Sequence, residues 1–412
     1  MKIRDLNPGM GMAVASRTVL RKGETWGDVA RRVAYGNSDL LKKFTDDPNV
    51  IEEERDALYA HIANGSILMS GRHLQHGDSS QPDRNQEVYT NCATAINSTN
   101  KFYLLLNGSG VGRVYDDDVM AVDWDLSPNI RCVLSDAHAD YNPAWVESVN
   151  EGVRKYPHSQ WHTVEDSREG WARAFELWES MTFEGIHKDR LLVFDFSQVR
   201  PSGSPIGGMQ DRPASGPLPL IRAFELISSV KGLNWPMWLQ AMWVDHYLAD
   251  CVLVGGVRRS ARIAGKWWRD KDIIDFIHIK RPNELMEKYT ISEIREARKA
   301  WRLSNFLHTA NNSVIVDDEF WALVQDRNGT TPDHYLARRV FEEVCRCSYA
   351  DGTGEPGFVT VTNLSCDETG LYEMMDTNWF GSSKFMPKYS KRLLQDLTEK
   401  VRWKKHKFFV NP

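Results

Sequence analysis

Apolar positions are spaced for helices through residues 1–90. Trp26, Val29, Ala30 and Val33 recur three, four and seven residues apart and so share one helical face. Ile51 to Ile62 repeats the pattern, and the polar run Gly77 to Asp83 interrupts it as a loop. Lys101 to Leu106 is a short apolar run that fits either a strand or a buried helix end. Residues 116–165 are irregular, acidic and rich in Trp, Asn and Pro, as expected of a long decorated insertion. Leu191 to Phe196 predicts a buried strand, followed by a Gly/Pro/Ser-rich loop over 201–219. Residues 219–254 are apolar with helical character. Amphipathic helices are predicted over Glu284–Trp301, Tyr335–Tyr349 and Tyr389–Lys405. Helices alternating with short apolar strands predict an α/β fold.

Composition narrows the class. At 412 residues the chain is long enough for two or three domains or one large one. No apolar stretch approaches a membrane span, and Met1-Lys2-Ile3-Arg4-Asp5 opens no secretory signal. A formal charge of -5 gives no reason to expect a nucleic acid backbone as partner. The six cysteines are too sparse and irregular for a disulfide scaffold, so a cytoplasmic protein with mostly buried thiols is expected. The 15 tryptophans are read as packing residues.

Several stretches invite chemistry. Gly108-Ser109-Gly110-Val111-Gly112 follows an apolar run, but Arg113 stands where a dinucleotide fingerprint needs its last glycine. A tight turn with close backbone approach is the plainer reading. The loop Ser202 to Pro217, with Gly203, Gly207, Gly208 and Ser215, exposes many amides suited to phosphate. Gly255-Gly256-Val257-Arg258-Arg259-Ser260-Ala261 adds two guanidinium forks. Cys345-x-Cys347 is half of a zinc pattern with no second pair at the right spacing, so no metal site is expected.

The order of these stretches carries more than any one of them. Ser70-Gly71-Arg72, Asn91-Cys92, Gly108 to Gly112 and Asp166 to Trp171 come first. Asp195 to Pro201, Ala214 to Leu220, Gly256 to Ala261, Asn311 to Val314, Gly354 to Gly357 and Asn411-Pro412 follow. This series resembles the adenosylcobalamin-dependent, monomeric ribonucleoside-triphosphate reductases, from about residue 15 onward.

The resemblance implies the first half of a ten-stranded α/β barrel preceded by a helical N-terminal region. It divides the chain into 1–90, a barrel start at 91–115, an inserted dimer-mimicking region at 116–185, and 186–412 with the effector loops. In the family Asn-Pro-Cys-Gly-Glu carries the radical cysteine, and here Asn411 and Pro412 match its first two positions. Asn411 then bonds the substrate ribose. Cys92 matches the first member of the reducing thiol pair, with Asn91 beside it. Substrate phosphate falls to Ser66 or Ser70, between which the resemblance does not choose. Arg258 and Arg259 are the expected effector-loop residues, with dNTP or ATP as effectors. Adenosylcobalamin is expected to be bound mainly by a C-terminal part, supplied as a separate chain, a spliced one or the remainder of a truncated record. A thioredoxin-like protein is the expected reductant. A non-catalytic nucleotide-binding remnant is the alternative.

Overall fold

The computed structural model describes residues 10–80, 86–89, 91–206, 212–254, 258–259, 261–280, 307, 309–351, 354–361, 385 and 387–401. The chain forms two compact units. The first holds Met1–Asn91, Ser202–Ser215 and Val254–Arg258, and the second holds Cys92–Pro201, Gly216–Leu253 and Arg259–Pro412.

The first unit begins with α1 (Met10–Thr18), α2 (Trp26–Leu40), α3 (Pro48–Asn64) and α4 (Gly71–His76). Thr25 opens α2 with a capping box, its side chain accepting from the Asp28 amide while the Asp28 carboxylate accepts from its own. Pro48 in the first turn and left-handed Gly65 (φ 78°) bound α3. The face predicted for α2 is the one buried: Trp26, Val29, Ala30 and Val33 pack with Ile62, Ala63 and Leu74.

The second unit opens with β1 (Cys92–Thr94), α5 (Ser98–Leu106), β2 (Gly110–Val114) and β3 (Asn129–Leu134). Then come β4 (Glu147–Ser148), α6 (Val149–Lys155), β5 (Gln160–Thr163), α7 (Arg168–Glu184) and β6 (Leu191–Asp195). The hairpin β7 (Pro205–Ile206) and β8 (Arg212–Pro213) belongs to the first unit. After it come α8 (Leu218–Ser228), α9 (Met237–Cys251), β9 (Leu253–Val254), β10 (Arg258–Arg259), β11 (Arg262–Trp267) and α10 (Ile273–His278). The chain continues through β12 (Ala310–Val316), α11 (Asp318–Gln325), α12 (Pro332–Asp351), β13 (Gly357–Thr360) and α13 (Lys391–Val401).

Two all-parallel sheets organise this unit. One has five strands in the order β1-β2-β11-β12-β13, the other four in the order β4-β3-β6-β5. Parallel sheets bury both faces, and β2 is buried at all five positions. Under the four-stranded sheet lies an aromatic core of Trp124, Phe175, Trp178, Phe194, Phe196 and Phe224. Phe194 and Phe224 meet edge to face at 4.9 Å, and Trp124 and Trp178 at 5.2 Å.

Three sequence readings change or resolve here. Residues 116–165, expected to be irregular, contain β3, β4, α6 and β5. Strands of two to six residues broken by Pro143 and Pro157 are too short to display a period. The run 101–106 is helix, within α5. The glycines at 108–112 form a turn at Gly108 (φ 81°) and then strand β2. That order, helix to strand, is the reverse of a dinucleotide fingerprint, which leads from strand to helix. The predicted helix 284–301 lies outside the described residues.

Candidate functional site

Cys92 is the first residue of β1, at an edge of the five-stranded sheet, and its thiol is exposed. It pairs in register with Gly110 of β2. The other described cysteines separate by environment. Burial pushes the Cys132 and Cys251 thiols up, which suits packing residues, whereas Cys345 is exposed.

The turn after β1 is held by one carboxylate. Glu179 of α7 accepts from Asn97 Nδ2 (2.9 Å), the Ser98 amide (2.9 Å), the Thr99 amide (3.1 Å) and Thr99 Oγ1 (2.7 Å). The two amides are orphan donors at the N-terminus of α5, where a negative charge is favoured. Burial nonetheless raises the Glu179 carboxyl, against the lowering by these bonds and by Arg113. One turn earlier, Glu176 Oε1 accepts from the amides of Lys388, Tyr389 and Ser390 at 2.9–3.0 Å, just ahead of α13. Helix α7 thus caps two helices with two buried glutamates.

An ionic core lies where β2 and β11 meet α5 and α9. Arg113 Nη1 reaches Asp245 Oδ2 at 3.0 Å and Ser98 Oγ at 2.8 Å. The Tyr115 hydroxyl donates to Asp245 Oδ2 at 2.5 Å and accepts from Lys101 Nζ at 2.9 Å. Arg262 Nη1 donates to Thr309 Oγ1 at 2.7 Å, and His246 Nδ1 lies 2.9 Å from the same oxygen. Burial opposes charge on Asp245, yet Arg113, Lys101 and Arg262 together hold its carboxyl well below the usual range. Burial drives the Lys101 ammonium well down despite Asp245, and burial and then Asp245 push the Tyr115 phenol up.

The motifs singled out in the sequence occupy joints of the fold. Ser167 caps α7, and Asp166 Oδ2 pairs with Arg200 Nε at 2.7 Å, joining two of them. Asp195 Oδ1 accepts from Ser197, whose Oγ in turn accepts from the Ser135 amide at 2.8 Å. The Glu355 carboxylate accepts from the Asn312 amide at 2.7 Å and pairs with Lys280, tying the start of β12 to the approach of β13.

Other site residues fall as follows. Ser66 is exposed after α3, 2.9 Å from His61 Nδ1 and 2.6 Å from Asn64 Oδ1. Ser70 is exposed at the N-cap of α4. Both belong to the first unit, as does Asn91, while Cys92 opens the second. In the loop at 202–216, left-handed Gly203 (φ 84°) donates to Ala214 O at 3.0 Å, and Ser215 follows the returning strand. Arg258 and Arg259 form strand β10. Gly207, Gly208, Gly256, Asn411 and Pro412 lie outside the described residues. Lys101, Asp245, Glu176 and Glu179 were not singled out from sequence, and Arg113 was noted only as a departure from the dinucleotide fingerprint. A charged residue inside an apolar helical run is the signal that could have marked Lys101 and Asp245.

The described residues line cavities in each unit. One of about 440 Å³ in the first unit is lined by Arg21, Arg31, Arg32, Tyr35 and Asp78. One of about 390 Å³ in the second is lined by Arg131, Trp145, Glu147, Lys155 and Glu225.

The parallel α/β architecture has known counterparts. Residues 130–231 match the insertion domain of B12-dependent ribonucleotide reductase. That span overlaps the 116–185 segment and runs on through β6 and α8. The chain is 30% identical over 393 residues to a putative adenosylcobalamin-dependent ribonucleoside-triphosphate reductase of Mycobacterium phage D29, covering 84% of this chain and 51% of that one. It is 25% identical over 360 residues to the adenosylcobalamin-dependent ribonucleoside-triphosphate reductase of Lactobacillus leichmannii, covering 76% and 45%. A crystal structure of a B12-dependent (class II) ribonucleotide reductase superposes with a TM-score of 0.59 at 22% identity, covering 78% of this chain and 48% of that one. The chain is therefore similar to adenosylcobalamin-dependent ribonucleoside-triphosphate reductases, and it spans about half the length of the curated relatives it matches.

Proposed function

We propose that this chain is the N-terminal part of a ribonucleotide reductase that converts ribonucleoside triphosphates to 2′-deoxyribonucleoside triphosphates for DNA synthesis. The observation that carries the reading is Cys92, an exposed thiol at the open edge of a five-stranded parallel sheet, in a chain whose relatives bear that activity in their names. The sheet fits the first half of the ten-stranded barrel, preceded by the helices of residues 10–76.

Reduction replaces the 2′ C–O bond by C–H and releases water. Two thiols supply the two electrons and two protons and close a disulfide. Cys92 is one of them, and the C-terminal part provides the other. A thioredoxin-like protein or a small dithiol reopens the bond. Glu179 and the α5 N-terminus fix the turn that follows β1 and so hold the strand bearing Cys92. Ser66 or Ser70 supplies a hydroxyl donor for substrate phosphate, and Asn411 serves the ribose. The loops at 202–216 and 255–261, with Arg258 and Arg259, relay the identity of a bound dNTP or ATP. The insertion stands in for a dimer interface, so the assembled enzyme is a monomer acting on triphosphates.

Adenosylcobalamin would supply the initiating radical. The cavities of about 440 and 390 Å³ named above, with charged walls, are too small for it. The cofactor is assigned mainly to the C-terminal part.

The test is formation of dCTP from CTP with adenosylcobalamin and dithiothreitol, using this chain alone and mixed with a C-terminal part that carries Cys-Gly-Glu. Turnover confined to the mixture supports the proposal. No turnover in the mixture, with dNTP binding retained by this chain, moves the assignment to a non-catalytic nucleotide-binding protein.

A further inference from the structure

We propose that His278, Glu343 and Cys347 form a site for a divalent transition-metal ion of the zinc class, independent of the reductase reading. The sequence offered only Cys345-x-Cys347, half of a pattern. The structure supplies the missing ligands from elsewhere and selects one of the two cysteines. Glu343 and Cys347 stand four residues apart on α12 and so share a face. His278, in the last turn of α10, meets that face across the helix pair. Nε2 of His278 is 2.6 Å from Glu343 Oε2, and the imidazole, carboxylate and thiol donor atoms all lie within 4.8 Å of one another. A tetrahedral zinc ion, with bonds of about 2.0–2.3 Å, holds its ligands about 3.3–3.8 Å apart. Small side-chain rotations therefore reach that geometry from the observed one.

The donor set matches the ion in charge as well as in spacing. One thiolate, one carboxylate and one neutral imidazole cancel a divalent charge, which suits a pocket where Cys347 is buried and its two companions are half-buried. Binding releases the thiol proton to solvent. The three protein ligands leave a fourth position for water. Cys345, two residues away on the helix and exposed, lies off this face.

Arg346 is the resident competitor. Its guanidinium lies 2.7 Å from Glu343 Oε2 and 3.2 Å from His278 Nε2. The side chain is 55% exposed, so it can swing into water when an ion takes its place. Removing it should strengthen metal binding, whereas a purely structural His–Glu–Arg ion-pair cluster would bind no metal in either form.

The experiment titrates cobalt(II), as a spectroscopic stand-in for zinc, into chelator-treated full-length chain. We expect a thiolate-to-cobalt charge-transfer band with one-to-one stoichiometry, bleached by added zinc. Cys347→Ser should abolish the band, and Cys345→Ser should leave it intact. His278→Ala should weaken binding at least about tenfold, and Arg346→Ala should tighten it by up to about fivefold. Absence of the band in the wild-type chain overturns the proposal, as does its persistence in Cys347→Ser. Near-ultraviolet circular dichroism establishes that each variant is folded. If Cys347→Ser does not fold, Arg346→Ala and Cys345→Ser still decide the matter: unchanged affinity in the first, or a lost band in the second, overturns it.

Discussion

The two parallel sheets of the second unit solve the same problem with opposite chemistry. Beneath β3 and β6 the space is filled by rings, Trp124, Phe175, Trp178, Phe194, Phe196 and Phe224. Beneath β2 and β11 it is filled by charge, with Lys101, Arg113 and Arg262 around Asp245 and Tyr115. The aromatic core gains from area removed from water and tolerates changes that keep volume. The ionic core depends on every partner being present, because a buried charge that loses its counter-charge has nowhere to go. The sheet that carries Cys92 is thus the one more sensitive to single charges and to pH.

Substitutions can break this comparison. Asp245→Ala leaves the buried Arg113 and Arg262 guanidiniums, with Lys101 beside them, without their shared carboxylate and should cost about 3–5 kcal/mol in urea unfolding. An effect under about 1 kcal/mol would mean that the cluster is not held together by that charge. Glu179→Gln keeps the shape but turns an amide toward donor groups, and about 2–3 kcal/mol should be lost. Phe224→Leu, a volume-reducing change within the ring cluster, should cost about 1–1.5 kcal/mol. Trp145→Ala should stay within about 0.5 kcal/mol, because that ring is 65% exposed.

Acid sharpens the contrast. The folded carboxyl of Asp245 is held below its unfolded value of about 3.9. Its contribution to stability is therefore complete above that pH and is lost as pH falls through the lower folded value. Glu179 acts in the opposite sense, since its folded carboxyl is raised and protonation on acidification relieves a cost. Hydrogen exchange below about pH 4 should therefore open β2 and β11 before β3 and β6. Equal loss in both sheets would place the acid response elsewhere.

The same contrast explains what could be read from sequence. The ring core and the helices of the first unit follow periodic apolar patterns, and Trp26, Val29, Ala30 and Val33 were found on the face they occupy. The strand at 191–195 was legible because apolar residues run unbroken in a buried parallel strand. The ionic core was not legible, because its members come from four separate elements and no spacing links Lys101 to Asp245 or Asp245 to Arg262. The insertion was obscured by its brevity of strand. Cys92 was reached through the order of motifs. By itself it is a cysteine after an asparagine, and its position at the sheet edge is visible only once β1 and β2 are paired.

The most direct test of the central claim is the number of dCTP molecules formed per chain by the reconstituted mixture, with Cys92→Ser compared against wild type under dithiothreitol. The account predicts repeated turnover for the wild type and its abolition in Cys92→Ser, with unchanged dNTP binding. Wild-type turnover in Cys92→Ser would contradict the assignment of this thiol to the reducing pair.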